Sequence, residues 1–142
     1  MNEKLYSEIL DEFENCKTDN ERISVLRKND SPRFREFLIC VFHPNVQFEV
    51  TLPEKYRPAQ EPAGLNYTYL HHEVPKFYRF MKNHPKRPPG YIGRKQSIDL
   101  LVILESLHHD EAALFLGMLK KNLDIKFLTT KIIKEAYPDI KL

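Results

Sequence analysis

Apolar residues recur at helical spacing along the first third of the chain. Leu5, Ile9, Phe13 and Cys16 fall on one face and predict a first helix of about three turns. Thr18 or Asp19 can cap the next helix, NERISVLRKN, because a short oxygen-bearing side chain accepts one of the N–H groups that a helix start leaves orphaned. Ser31-Pro32 restarts the chain, with serine as the cap and proline at the first helical position. Phe34, Phe37, Leu38 and Val41 then form the buried stripe of a third helix. His43-Pro44 ends it, since the residue before a proline avoids the α region.

The period changes after Pro44. Val46, Phe48 and Val50 alternate with polar residues, and Pro53, Pro58 and Pro62 follow, so residues 44–66 read as an extended arm with one small strand. Its aromatic residues and Leu52 predict that it packs across the domain. Pro75 opens a helix containing Phe77, Tyr78 and Met81. The stretch NHPKRPPGYIGRKQS, Asn83 to Ser97, is a basic, proline-rich loop. Ile98 to Leu107, IDLLVILESL, is apolar almost all round and predicts a helix in the middle of a bundle. Asp110 caps a helix with Ala112, Phe115, Leu116 and Leu119 on one face. The last stretch, Lys120 to Ile140, reads as a helix end, a turn at Leu123-Asp124-Ile125, a cap at Thr129 or Thr130, and a short helix ending near Tyr137-Pro138. The expected fold is all-α: a single helical-bundle domain over residues 1–142, with six or seven helices and one irregular proline-rich arm.

Composition narrows the class. The chain is 42% hydrophobic and 30% charged, a soluble globular balance. No apolar run approaches the length of a membrane span. The start, MNEKLYSEILDEFENCK, lacks the apolar core of a signal peptide, so a cytoplasmic protein is expected. Cys16 and Cys40 fall on apolar faces and read as buried free thiols of a reducing compartment. The net charge of +2 is uneven. Residues 1–30 carry five basic and eight acidic side chains, residues 31–80 six and five, and residues 81–142 eleven and seven. The basic surplus of the last segment favours a polyanion as a partner.

Candidate chemistry is sparse. His71-His72 and His108-His109 are neighbours in sequence, and adjacent positions point to different sides of a helix, a poor arrangement for two teeth of a metal clamp. His108-His109 falls at a helix end, where histidine complements the negative pole of the dipole. No G-x-S-x-G elbow and no Walker pattern occurs, and RPPGYIGRK holds too few glycines to cradle phosphate that way. Ser97 and Ser106 read as ordinary helix residues, and Glu105 and Asp110 as a solvated helix end. No enzyme activity, metal or cofactor is expected. The positive signal is basic: Lys86, Arg87, Arg94 and Lys95 in the loop, and Lys120, Lys121, Lys126, Lys131 and Lys134 around the last turn. Lysines beside a capped helix start suit a phosphate backbone, which they would hold without reading bases.

The stretch LFLGMLKKNLDIKFLTTKIIKEAYPDI, Leu114 to Ile140, resembles the end of the N-terminal DNA-binding domain of ATP-dependent DNA ligases. Lys121-Asn122-Leu123-Asp124-Ile125 matches the family's R/K-D-L-x-I/V turn, Thr129 to Lys134 its capped helix, and Tyr137-Pro138 the end of that helix. Gly93 to Ile98 is similar to the loop and helix start upstream, and ILDEFENCKTDNERISVLRKN to the opening helix pair. The departures are specific. The ligase turn continues with glycine where this chain has Lys126, and its Pro-Gly is Pro138-Asp139 here. No K-x-D-G adenylation motif is present. The resemblance implies a free-standing relative of the ligase domain, similar to small proteins of large tailed bacteriophages working in the host cytoplasm. Such a protein would grip duplex DNA across the minor groove through Arg94, Lys95, Lys120, Lys121, Lys126, Thr129, Thr130, Lys131 and Lys134. The competing expectation is a protein-interaction module that uses the same scaffold to engage a host or phage DNA-processing protein, marked by an apolar patch near Tyr56, Tyr67 and Tyr69.

Overall fold

The computed structural model describes residues 4–88, 90–91 and 93–142. Pro89 and Ile92 of the RPPGYIGRK loop, and the first three residues of the charged N-terminus, lie outside the described residues. Among the described residues seven α-helices form the fold: α1 Tyr6–Glu14, α2 Asp19–Lys28, α3 Pro32–Phe42, α4 Leu70–Glu73, α5 Arg94–Ser106, α6 His109–Leu119 and α7 Thr130–Ala136. A 3-10 turn, Val74–Phe80, continues α4. The fold is all-α, and among the described residues the β-structure amounts to one isolated bridge, Phe48 with Met81.

Local chemistry sets several of these starts. Thr18 accepts the N–H of Glu21 at 3.2 Å to open α2. Ser31 accepts that of Phe34 at 3.1 Å, with Pro32 at the first position of α3. The residues that open α1 and α4, Leu5 and Tyr69, offer no capping side chain, and at α1 the Glu8 carboxylate accepts the Leu5 N–H at 2.8 Å. A distant residue serves both: Glu111, fully buried on α6, accepts the N–H of Tyr6 and that of Leu70, each at 3.0 Å.

The central helix is α6, not α5. Helix α6 packs against α1, α3, α4 and α5. Its Phe115 sits edge-on to Phe77 and Phe80, at centroid distances of 5.5 and 6.0 Å. Helix α5 buries Gln96, Leu100, Ile103 and Leu104 but turns Ile98 and Val102, 50% and 59% exposed, to solvent. A continuous apolar run thus covers a helix with one open face. The helix opening expected at Pro75 instead begins at Leu70, and Pro75 falls in the 3-10 turn; Met81 lies beyond it, in the bridge. The cap of α6 is His108, whose Nδ1 accepts the N–H of Asp110 at 3.2 Å, so Asp110 lies inside the helix. The His108-His109 pair therefore stands at the positive end of α6. Cys40 is buried as expected, whereas Cys16 lies just past α1 and is half-buried.

The arm crosses the α5 side of the bundle. Val46, Phe48, Val50, Leu52 and Tyr56 pack against the core. Glu49 N–H donates to the Phe80 carbonyl and Lys82 N–H to that of Gln47, both at 2.8 Å. The buried Gln96 side chain donates to the Glu49 carbonyl at 2.9 Å. At the other side α2 holds α7. The Tyr137 hydroxyl donates to the Leu26 carbonyl, and the Arg27 guanidinium donates to the carbonyls of Ala136 at 3.2 Å and Glu135 at 3.0 Å.

Candidate functional site

The segment from α6 to α7 is built by backbone chemistry before any charge is considered. Lys120 ends α6 in the helical region, and Lys121 follows in the left-handed region at φ 62°. Lys121 N–H donates to the Met118 carbonyl at 2.9 Å, and Asn122 N–H to that of Gly117 at 2.8 Å. This is the Schellman arrangement, which satisfies two of the orphan carbonyls at the helix end. Glycine usually holds the left-handed position, and here a lysine does. Its ammonium donates to the carbonyls of Cys40 at 2.7 Å and His43 at 2.8 Å, at the end of α3. Burial lowers the pKa of this lysine from its usual 10.5. Lys121 thus ties α6 to α3 and is turned inward, away from any partner.

Two more residues of the turn are left-handed, Asp124 at φ 57° and Phe127 at 70°. Asp124 N–H donates to the Asn122 side chain at 3.0 Å, and Lys126 N–H to the Glu14 carboxylate at 2.9 Å. Phe127 lies under the Arg22 guanidinium, 3.7 Å from the ring centroid. Arg22 is itself fixed by Asp19 at 2.7 Å and by the Cys16 carbonyl at 2.9 Å. Phe127, and not Lys126, takes the left-handed conformation that follows Ile125. Thr129 accepts the Ile132 N–H at 3.3 Å and opens α7.

The remaining predicted site residues are exposed: Lys120, Lys126, Thr129, Thr130, Lys131 and Lys134 around this segment, and Arg94 and Lys95 in the first turn of α5. Among the described residues, none of the four lysines has a side-chain hydrogen bond or ion pair, nor do Arg94 and Lys95. Most arginines are instead held. Arg35 binds Asp30 and Asp139, Arg87 binds Glu49, and Arg22 binds Asp19. Arg94 and Lys95 stand in the first turn of α5 and the others along the α6–α7 segment, so the predicted set falls on two separate stretches of the chain. From the loop, Arg87 also donates to the Met81 carbonyl at 3.1 Å and so fastens the loop to the bridge.

Cys40 and Glu105 are held in structural surroundings. Burial pushes the Cys40 thiol up to about 12, which opposes thiolate formation. Glu105 accepts the N–H of Arg57 at 2.9 Å. His108, His109 and Asp110 bring one ligand atom each within 4.8 Å of one another, although the two histidines are sequence neighbours. His108 Nδ1 is occupied by the Asp110 N–H, and the other two residues are exposed. A cleft of about 570 Å³ runs between α1 and the start of α6, with Glu8, Asp11, Glu14 and Asp110 at its rim and Leu10, Leu114 and Ile125 in its floor. No helix is long and apolar enough to cross a membrane among the described residues.

A model of a family of unknown function, DUF6433, matches residues 9–125. The chain belongs to this family. No curated protein and no solved structure matches it. The DUF6433 match runs from within α1 through α6, with Arg94, Lys95, Lys120 and Lys121. Lys126 and the cap and lysines of α7 follow the matched segment.

Two features escaped the sequence. The inward role of Lys121 depends on carbonyls 78 and 81 residues away, which no local pattern reveals. The outer face of α5 did leave a signal: Ile98 and Val102 are four apart on a helix whose buried residues lie on other faces.

Proposed function

We propose that this DUF6433 chain is a non-catalytic accessory protein that holds the phosphate backbone of duplex DNA without strong sequence preference. One observation carries the reading: Lys120, Lys126, Lys131 and Lys134 are exposed and, among the described residues, free of carboxylate partners, on a segment whose backbone is tightly fixed. Free ammonium groups on a rigid frame suit contacts that displace counterions from phosphate. The resemblance to the ligase DNA-binding domain supports the same surface, and with it a phage protein acting in a host cytoplasm. Lys121 leaves the contact set, because its ammonium serves the end of α3. The test is binding to labelled intact and nicked duplex, followed by anisotropy as salt is raised. Micromolar affinity that falls steeply with salt is expected; no binding at low salt removes the reading.

A second reading, a protein-interaction module, is favoured by a different surface. Tyr67 and Val102, 85% and 59% exposed, line one depression of about 310 Å³, and Leu65 and Ile98, 70% and 50% exposed, are close to them in sequence. Tyr56 and Tyr69, expected in the same patch, are half-buried.

A further inference from the structure

We infer that the outer face of α5 is a self-pairing surface, on which two copies of this chain meet through antiparallel α5 helices across a two-fold axis. The face is defined by exposure. Arg94, Lys95, Ile98 and Val102 are exposed, with Glu105 half-buried at the far end of the same stripe. At 100° per residue these five positions share one arc of the helix. Leu100, Ile103 and Leu104 occupy the opposite, buried arc.

The occupant is set by the register. A two-fold interface is isologous, so residue i meets residue j and j meets i. An axis at the level of Leu100 places Ile98 of one copy against Val102 of the other, twice. The same axis places Lys95 against Glu105, because both lie five residues from Leu100, roughly 7.5 Å at the helical rise. One register therefore matches apolar with apolar and cation with carboxylate on both sides at once. Shifting it by one helical turn sets Lys95 beside Val102 and leaves Glu105 facing no cation. The Lys95 side chain has no hydrogen bond or ion pair among the described residues. Among the described residues Glu105 accepts the Arg57 N–H alone, through one oxygen, which leaves its other oxygen for a partner. Tyr67 stands beside Val102, where it would flank the helix of the second copy.

The pairing is independent of the DNA reading and gives Lys95 a different role from the lysines of α6 and α7. The face is small, so association is expected to be weak and reversible. The experiment is sedimentation equilibrium of the full chain from about 1 µM to about 1 mM. A monomer–dimer equilibrium is expected. Val102→Lys, a change at an exposed position, weakens it by about tenfold or more while the thermal melt stays near that of the wild type. Lys95→Glu and Glu105→Lys each weaken it, and the double variant restores it to within about threefold. A strictly monomeric wild type overturns the inference. So does a dimer that ignores Val102→Lys, or charge reversals whose effects simply add.

Discussion

Glu111 accepts the backbone N–H of Tyr6 at 3.0 Å across 105 residues of sequence, and with its other oxygen it accepts that of Leu70. One fully buried carboxylate thereby joins α6 to the starts of α1 and α4. Both N–H groups lose their acceptor in Glu111→Ala, and a buried unsatisfied donor costs about 1–3 kcal/mol. We expect Glu111→Ala to be destabilised by roughly twice that figure, and Glu111→Gln, which keeps one acceptor oxygen, by about half as much as Ala. Denaturant melts of the two variants check the order; equal losses would mean that only one of the two bonds matters.

The same residue gives a pH dependence. Burial raises its pKa above the usual 4.5, and nearby Glu8 pushes in the same direction, while the two N–H bonds oppose them. The folded protein therefore binds this proton more tightly than the unfolded chain does. The stability this contributes is fully present below 4.5 and is lost as pH rises through the folded value. Glu111→Gln lacks that term. The stability difference between wild type and Glu111→Gln should be largest in acid and narrow as pH rises, as read from melts at a series of pH values. A difference that widens with pH would reverse the assignment.

Gly117 tests the turn that follows α6. It is helical, so alanine would ordinarily be favoured there by up to about 1 kcal/mol. A Cβ at this position would instead lie 2.7 Å from the Asn122 carbonyl oxygen and 3.1 Å from the Leu123 Cα, both backbone atoms of the turn. Gly117→Ala should therefore lose about 1–3 kcal/mol. A neutral or stabilised variant would show that the turn can shift without cost.

These two residues also show what the sequence could carry. The caps at Thr18 and Ser31 were legible because cap, proline and first turn are local chemistry. The start of α4 has no local cap, and at α1 the local Glu8 carboxylate takes only the Leu5 N–H, so Glu111 supplies the acceptor for Tyr6 and Leu70 from far along the chain. Asp110 has the usual chemistry of a cap, yet His108 fills that place, and an imidazole nitrogen is an uncommon cap acceptor. The run IDLLVILESL promised a central helix because hydrophobicity alone does not separate an inner helix from a surface helix with an apolar outer face. The lysines at the candidate site were legible as charge, but which of them face inward was not. That depends on where the end of α3 lies.

Tyr137 fixes the other end of the candidate segment. The C-terminal carbonyls of α2 have few partners within their own helix. The Tyr137 hydroxyl, on a side chain only 1% exposed, satisfies that of Leu26. Tyr137→Phe keeps the ring, and the Arg35 guanidinium 4.5 Å over it, but leaves that carbonyl bare. A loss of about 1–2 kcal/mol is expected, together with faster amide exchange in α7. Unchanged exchange in α7 would separate this bond from the docking of the helix.

The final contrast is between two lysines ten residues apart in the same basic segment. Lys131 is exposed, whereas Lys121 holds the Cys40 and His43 carbonyls. If the segment grips phosphate, Lys131→Ala should weaken binding to all duplex sequences about equally and lower the salt slope by about one, with stability unchanged. Lys121→Met should do the reverse: it removes the bridge to α3, costs about 1–3 kcal/mol, and leaves the salt slope of the folded protein as it was. Lys121→Gly divides the second effect, because glycine relaxes the left-handed backbone while still losing the bridge; it should be less damaging than Met. Anisotropy titrations at several salt concentrations, run beside denaturant melts of the same variants, distinguish the roles. A salt slope that falls with Lys121→Met but not with Lys131→Ala would exchange the two residues and place the phosphate contact at the end of α3.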